Sequence, residues 1–312
     1  MKKILITGAS GFIGSNLCER LVKDKNNFII AVDNFYSSNA SHIDKFRAND
    51  NFKFIQHDIT TPIDIEADEI YNLACPASPV AYQKDPVLTI KTCVFGIYNM
   101  LELARKYKSK ILQASTSEVY GYPKEHPQNE EYWGNVNPIG IRSCYDEGKR
   151  AAETFMVDYH RKYGVKIKIA RIFNTYGVNM QQNDGRVISN FIVQALKNDD
   201  LTIYGDGSQT RSFCYVEDTV EGLIRLMASD NDITFPINIG KPDEHTILEI
   251  ANLIIKKSHS LSKITFKELP KDDPALRRPD VSRAKKYLDW SAEIPLEVGL
   301  DKTIQYFKGI LF

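Results

Sequence analysis

A chain of 312 residues, 43% of them hydrophobic, can bury a large core, and its 40 basic and 40 acidic side chains cancel. With no net charge and no basic block, nucleic acid and anionic membrane surfaces are excluded as expected partners, which leaves small molecules. The five cysteines, Cys18, Cys75, Cys93, Cys144 and Cys214, are odd in number and form no CxxC pair; this argues for reduced thiols rather than a disulfide framework or zinc site, and no metal is expected.

The chain enters a strand at once, without a cationic leader, and nowhere do about 18 apolar residues stand together. A cytoplasmic protein with no membrane partner is therefore expected. The opening run Lys3-Ile-Leu-Ile-Thr7 reads as a buried strand, followed by Gly8-Ala-Ser-Gly11-Phe12-Ile13-Gly14 and an amphipathic stretch to about Lys25. Strand, glycine turn and helix together make a dinucleotide cradle, because the glycines let the backbone approach a pyrophosphate and the helix start offers free amides. A second apolar run, Phe28-Ile-Ile-Ala-Val32, ends at Asp33, near the roughly 20-residue offset of an acid that binds a ribose hydroxyl. Asp33 would repel a 2'-phosphate and Asn34-Phe35 offers no cation to hold one, so NAD is expected rather than NADP.

Further strands are predicted at Lys53–Gln56, Glu69–Ala74, Lys110–Ala114 and Lys166–Ala170, alternating with helices near 86–107 and 144–164. That alternation predicts an α/β fold, a doubly wound parallel sheet of Rossmann type. Ligands of such sheets lie beyond the carboxyl ends of the strands. Asp58, Leu73, Ala74, Thr116 and Glu118 are candidates on that ground, against the ordinary reading of each as loop structure. Tyr145 and Lys149 stand one turn apart on the helix that begins near 144, so both share a face. A phenol ionises near pH 10, and a neighbouring ammonium is the simplest means of lowering that, so the pair suits a base for hydride chemistry. After about residue 171 the pattern turns to helices near 186–198, 216–228, 246–258 and 295–308, with short strands and punctuation such as Gly205-Asp-Gly207 and Pro270-Lys-Asp-Asp-Pro274. The predicted division is residues 1–171 for NAD, with room for later segments to return to it, and 172–312 as a smaller C-terminal substrate domain. The substrate is expected in the cleft between them.

Several segments together are far more specific than the glycine turn. They are Asn72-Leu-Ala-Cys-Pro-Ala-Ser-Pro79, Ser115-Thr-Ser-Glu-Val-Tyr-Gly121, Tyr132-Trp-Gly-Asn-Val-Asn-Pro138, Arg142-Ser-Cys-Tyr-Asp-Glu-Gly-Lys-Arg150, Arg171-Ile-Phe-Asn-Thr-Tyr-Gly177, Asp184-Gly-Arg186 and Tyr204-Gly-Asp-Gly-Ser-Gln-Thr-Arg-Ser-Phe213. Over essentially the whole chain they resemble the extended short-chain dehydrogenase/reductases that act on nucleotide sugars, most closely the branch that decarboxylates UDP-glucuronate to UDP-xylose. The resemblance departs at Ile141, where proline is usual before Arg142, and at Gln181-Gln182.

The resemblance implies NAD-dependent oxidation at C4 of the sugar, loss of the carboxylate and re-reduction, with no net redox change. It makes Tyr145 the base, Lys149 its partner and Thr116 the hydroxyl at the sugar's 4-oxygen. Glu118 acts around the ring and Arg277 enters the active site, with Arg278 an alternative reader. For the cofactor it adds Ile59, Thr92, Ala114 and Thr175 to the residues above. For the UDP-sugar it adds Pro76, Lys91, Asn174, Arg186 and Arg211. It also implies a homodimer joined by a four-helix bundle of the helices near 93–107 and 147–163. Related 4,6-dehydratases carry an Asp-Glu pair where this chain has Ser117-Glu118. Eliminating water needs an acid that Ser117 does not supply, so decarboxylation fits better. A 4-epimerase, a 4,6-dehydratase and a non-catalytic NAD sensor remain the alternatives.

Overall fold

The computed structural model describes residues 1–268 and 276–312. The stretch Pro270–Pro274 and the first residues of the motif before Arg277 lie outside the described residues. Six strands open the chain's parallel sheet: β1 (Lys2–Thr7), β2 (Asn27–Asp33), β3 (Phe52–Gln56), β4 (Glu69–Asn72), β5 (Lys110–Thr116) and β6 (Lys166–Ile172). They run in the order β3, β2, β1, β4, β5, β6, and Pro236–Ile239 adds a seventh parallel strand beside β6. A strand from beyond residue 171 thus completes the sheet. The register is unbroken along β1 and β2, from Lys2 opposite Asn27 to Thr7 opposite Val32. Near-continuous apolar strands of this kind suit a sheet covered by helices on both faces.

β5 and β6 each run two residues past the predicted stop, to Thr116 and Ile172. Both are β-branched residues that continue a ladder readily. β4 instead ends at Asn72, two residues short of Ala74. There Asn72 accepts a hydrogen bond from the Thr7 hydroxyl at 2.7 Å and donates to Gln113 at 2.7 Å, so side chains tie three strand ends together.

The predicted helix 86–107 forms in three pieces, Pro86–Lys91, a π turn Thr92–Gly96, and Ile97–Tyr107. A wider turn of this type is frequent where function demands an odd spacing. By length and composition this 22-residue run could cross a membrane, a departure from the sequence expectation, yet 44% of its most apolar stretch is buried within the fold. Its inner side packs on the long helix Ser143–Tyr163, where Gly148 admits Cys93: a Cβ there would stand 2.8 Å from the Cys93 Cβ. Pro79–Lys84 and Ser282–Leu288 are further helices that periodicity did not predict. Both are shorter than the 11-residue windows in which helical period is readable.

Two large clusters make up most of the core among the described residues. One, around Ile4, Leu17, Ile192, Leu223 and Ile254, joins one face of the sheet to the second half of the chain. The other, around Leu5, Ile70, Leu101 and Met156, fills the opposite face beneath the two long helices.

Candidate active site

A cleft of about 710 Å³ runs across the carboxyl ends of β1, β2, β4, β5 and β6. Its floor starts at the glycine turn. Gly8 takes φ +67°, and a Cβ there would stand 2.8 Å from the Ala74 backbone; a Cβ at Gly14 would stand 2.1 Å from the Gly8 oxygen. Only glycine allows this approach. The helix Phe12–Leu21 begins immediately after, with no side chain capping its first amides. The fit to a dinucleotide therefore rests on this uncapped helix start beside a turn whose Gly8 and Gly14 leave no Cβ in the way, where a pyrophosphate would sit. Asp33 ends β2 with its carboxylate already accepting from the amides of Ser10 (2.9 Å) and Phe35 (2.8 Å) and from the Ser38 hydroxyl (2.7 Å). This fixes the acid's direction before any ribose arrives. Asn34 donates to Asp58 at 3.0 Å, which closes the same end of the cleft.

Of the residues singled out from sequence, Gly8, Gly11, Phe12, Ile13, Gly14, Asp33, Asn34, Asp58, Ile59, Leu73, Ala74, Pro76 and Thr92 all line the cleft. So do Ala114, Thr116, Glu118, Tyr145, Lys149, Asn174, Thr175, Arg186, Arg211 and Arg277. Lys91 is the exception: it is exposed and outside the lining. Leu88 and Thr92, four residues apart, take the cleft side of that helical run, which turns Lys91 away. Sequence reasoning missed Lys84, Tyr82 and Arg142, all of which line the cleft. The Pro79 start after Ser78 was a helix signal for the first two: Ser78 accepts from Ala81 N–H at 3.4 Å as an N-cap.

Tyr145 is buried, stacked on Tyr82 with ring centroids 5.1 Å apart and planes 6° apart, and the Thr116 hydroxyl is near enough to its phenol to favour ionisation. Lys149 shares its helical face, but its ammonium donates to the Ala114 carbonyl at 2.8 Å and stands 5.7 Å from the Tyr145 ring centre. Burial, reinforced by the charge of a Cys75 thiolate, holds the Tyr145 phenol well above its ordinary pKa, against the pull of the Thr116 hydroxyl. The expected lowering is therefore not made by Lys149 in this arrangement: removal from water outweighs one ammonium a ring-width away.

The opposite wall carries charge. Glu118 binds Arg142 at 2.8 Å and Arg277 at 3.3 Å. Arg277 is 1% exposed and also donates to the carbonyls of Ser117 and, at 3.2 Å, Gly121. Burial alone would raise the Glu118 carboxyl, but the guanidinium charges of Arg277, Arg142 and Arg211 outweigh it and keep it below the usual carboxylate range. Farther along, Arg186 is held by Asp184 through two hydrogen bonds, one of 2.7 Å, and lies 5.4 Å from the Phe12 ring centre. A planar guanidinium oriented this way suits a phosphate. Cys75 also lines the cleft, with its sulfur 3.3 Å from that of Cys93, a contact that brings its thiol down to about 7. Among the described residues, no cluster of three His, Cys, Asp or Glu side chains is placed to hold a metal ion.

Residues 5–303 match the family model described as GDP-mannose 4,6 dehydratase. The chain is 53% identical to UDP-glucuronic acid decarboxylase 1 of Danio rerio, over 98% of this chain and 72% of that protein. It is likewise 53% identical to UDP-glucuronic acid decarboxylase 6 of Arabidopsis thaliana, over 96% of this chain and 86% of the relative. Among solved structures it resembles UDP-glucuronic acid 4-epimerase from Bacillus cereus in complex with UDP-glucuronic acid and NAD, with TM-score 0.89, 30% identity and 99% of each chain covered.

Proposed function

We propose that this chain, which belongs to the GDP-mannose 4,6 dehydratase family and within it to the UDP-glucuronic acid decarboxylases, converts UDP-glucuronate to UDP-xylose and carbon dioxide using NAD. The observation that carries the reading is identity to decarboxylases over nearly the whole chain, in a cleft that has Ser117 and not an acid beside Glu118. Bound NAD would supply this site with a hydride acceptor for C4 of the sugar and afterwards with the hydride donor. Gly8, Gly14 and Asp33 would hold its pyrophosphate and ribose. Tyr145 would accept the proton of the 4-hydroxyl once its phenol is ionised, the form that the Lys149 ammonium and the positive charge of bound NAD would favour against burial, with Thr116 fixing that oxygen. The resulting ketone lies next to the carbon that bears the carboxylate. When carbon dioxide leaves, the electrons of the broken bond pass into an enolate, whose oxygen Thr116 and Tyr145 stabilise by donating hydrogen bonds. A proton then adds at C5, and Tyr145 returns its own proton to the 4-oxygen.

The 4-epimerase reading shares the first oxidation and differs in turning the ketone over without breaking a carbon–carbon bond. Incubation with UDP-glucuronate, followed by proton NMR, separates the two. UDP-xylose with carbon dioxide is the expected result, whereas UDP-galacturonate without gas release would overturn the decarboxylase reading. We also propose a homodimer built on a four-helix bundle of Pro86–Tyr107 and Ser143–Tyr163 with their counterparts. In support, Val87, Phe95 and Tyr98 are exposed apolar residues on the first of these. Light scattering that gives a monomer mass would remove the dimer.

A further inference from the structure

Behind the charged wall lies a second cavity of about 180 Å³, lined by Glu118, Arg142, Arg277 and Asp146 together with the backbone turns around Gly121 and Asn135–Asn137. Glu118, Arg142 and Arg277 line both cavities, whereas Asp146 faces only the second. Asp146 is the residue after Tyr145 on the long helix, is 7% exposed, and its Oδ1 has no hydrogen-bond partner. An orphaned buried carboxyl oxygen is costly unless the group is neutral or water reaches it, and a polar cavity of this size can hold water.

We propose that Asp146 is a positioning residue for the return half of the reaction, supplying through Glu118 the proton that C5 takes up after carbon dioxide has left. This rests on the decarboxylase reading above. Glu118 touches the cleft, but three guanidinium groups keep it ionised, so it has no proton of its own to give. Asp146 is in the opposite state. Burial first, and then the negative charge of Glu118, push its carboxyl up to about 7 against the pull of Arg142 and Arg277. The other titratable groups that face it are Glu147 on its own helix, and Tyr82 and Cys144. The step balances. Asp146 first gives its proton to Glu118 through water in the side cavity; the enolate's electron pair then forms the new C5–H bond as the Glu118 O–H bond breaks, which leaves Glu118 a carboxylate again, and solvent entering through the cavity reprotonates Asp146.

The test follows UDP-glucuronate turnover in the NAD-loaded protein from about pH 6 to about pH 9, together with the steady-state fraction of reduced nicotinamide by near-ultraviolet absorbance. In the wild type, turnover should fall and the reduced fraction rise as pH passes about 7, since the return half loses its proton source while the first oxidation does not. Asp146→Asn should remove that limb, lower turnover about tenfold at neutral pH, and raise the reduced fraction there. Asp146→Glu, which keeps a carboxyl in the cavity, should restore the limb. A merely structural role would slow both halves together and leave the reduced fraction unchanged. A wild-type reduced fraction that is flat with pH overturns the proposal whatever the variants do, as does an Asn variant that keeps the wild-type limb. If the wild type forms no pentose from UDP-glucuronate, the decarboxylase reading itself has failed; if it does and the fraction stays flat, only the role of Asp146 has.

Discussion

The glycine turn at one end of the cleft and the charged wall at the other are built by opposite means. The turn is local: Gly8, Gly11 and Gly14 lie within one strand–helix junction, and backbone contacts alone exclude a side chain at Gly8 and Gly14. The wall is remote, since Arg277 and Glu118 are 159 residues apart in sequence and meet only because the chain returns over β5. The turn carries no ionisable group, whereas the wall buries an acid among guanidinium groups, where removal of one partner leaves an uncompensated charge. A backbone-made subsite can serve any dinucleotide enzyme. A charge-made subsite is where a reaction on a carboxylate sugar can be set apart.

Five substitutions would break or sharpen that contrast. Tyr145→Phe, between the two regions, should lower decarboxylation by about a thousandfold while leaving NAD binding intact; wild-type turnover by proton NMR would show the base to be elsewhere. Arg277→Met should destabilise the fold by about 3–5 kcal/mol in urea unfolding, because two buried carbonyls lose their donor and Glu118 keeps Arg142 but loses its second guanidinium partner; an unchanged midpoint would mean the wall does not depend on buried charge. Gly14→Ala pushes a methyl to 2.1 Å from the Gly8 oxygen and should cost about 1–3 kcal/mol, read as weaker NAD binding by calorimetry. Binding equal to wild type would mean that the turn relaxes and its closeness is incidental. The smallest effect compares two lysines: Lys84→Ala should raise the KM for UDP-glucuronate about two- to fivefold, and Lys91→Ala should leave it unchanged. The reverse order would place Lys91 at the substrate and contradict the helical face assigned to it.

The legibility of these regions follows from their construction. Period and turn chemistry are local properties, so the first strand, the glycine turn, Asp33 and the long helix with Tyr145 and Lys149 were readable from the chain. Lys84 and Tyr82 sit on a six-residue helix, too short for period to announce itself, and only the capping signal at Ser78-Pro79 pointed there. Lys91 was misplaced because a one-dimensional motif does not say which side of a helical run faces inward. For Tyr145, spacing gave the right face but not the balance of burial against the Lys149 charge, which depends on how much water the packed site excludes.

By itself the sequence determined the parallel sheet, the dinucleotide turn, the absence of an acid at Ser117 and the identity of the groups that can move protons, since these depend on residue type and short spacing. Only the tertiary structure decided that Glu118 would be clamped between Arg142 and Arg277, that Asp146 would stand in a separate cavity behind it, and that Pro236–Ile239 would finish the sheet. The reason is that charge state and partner choice are set by what the fold removes from water and brings within a few ångströms.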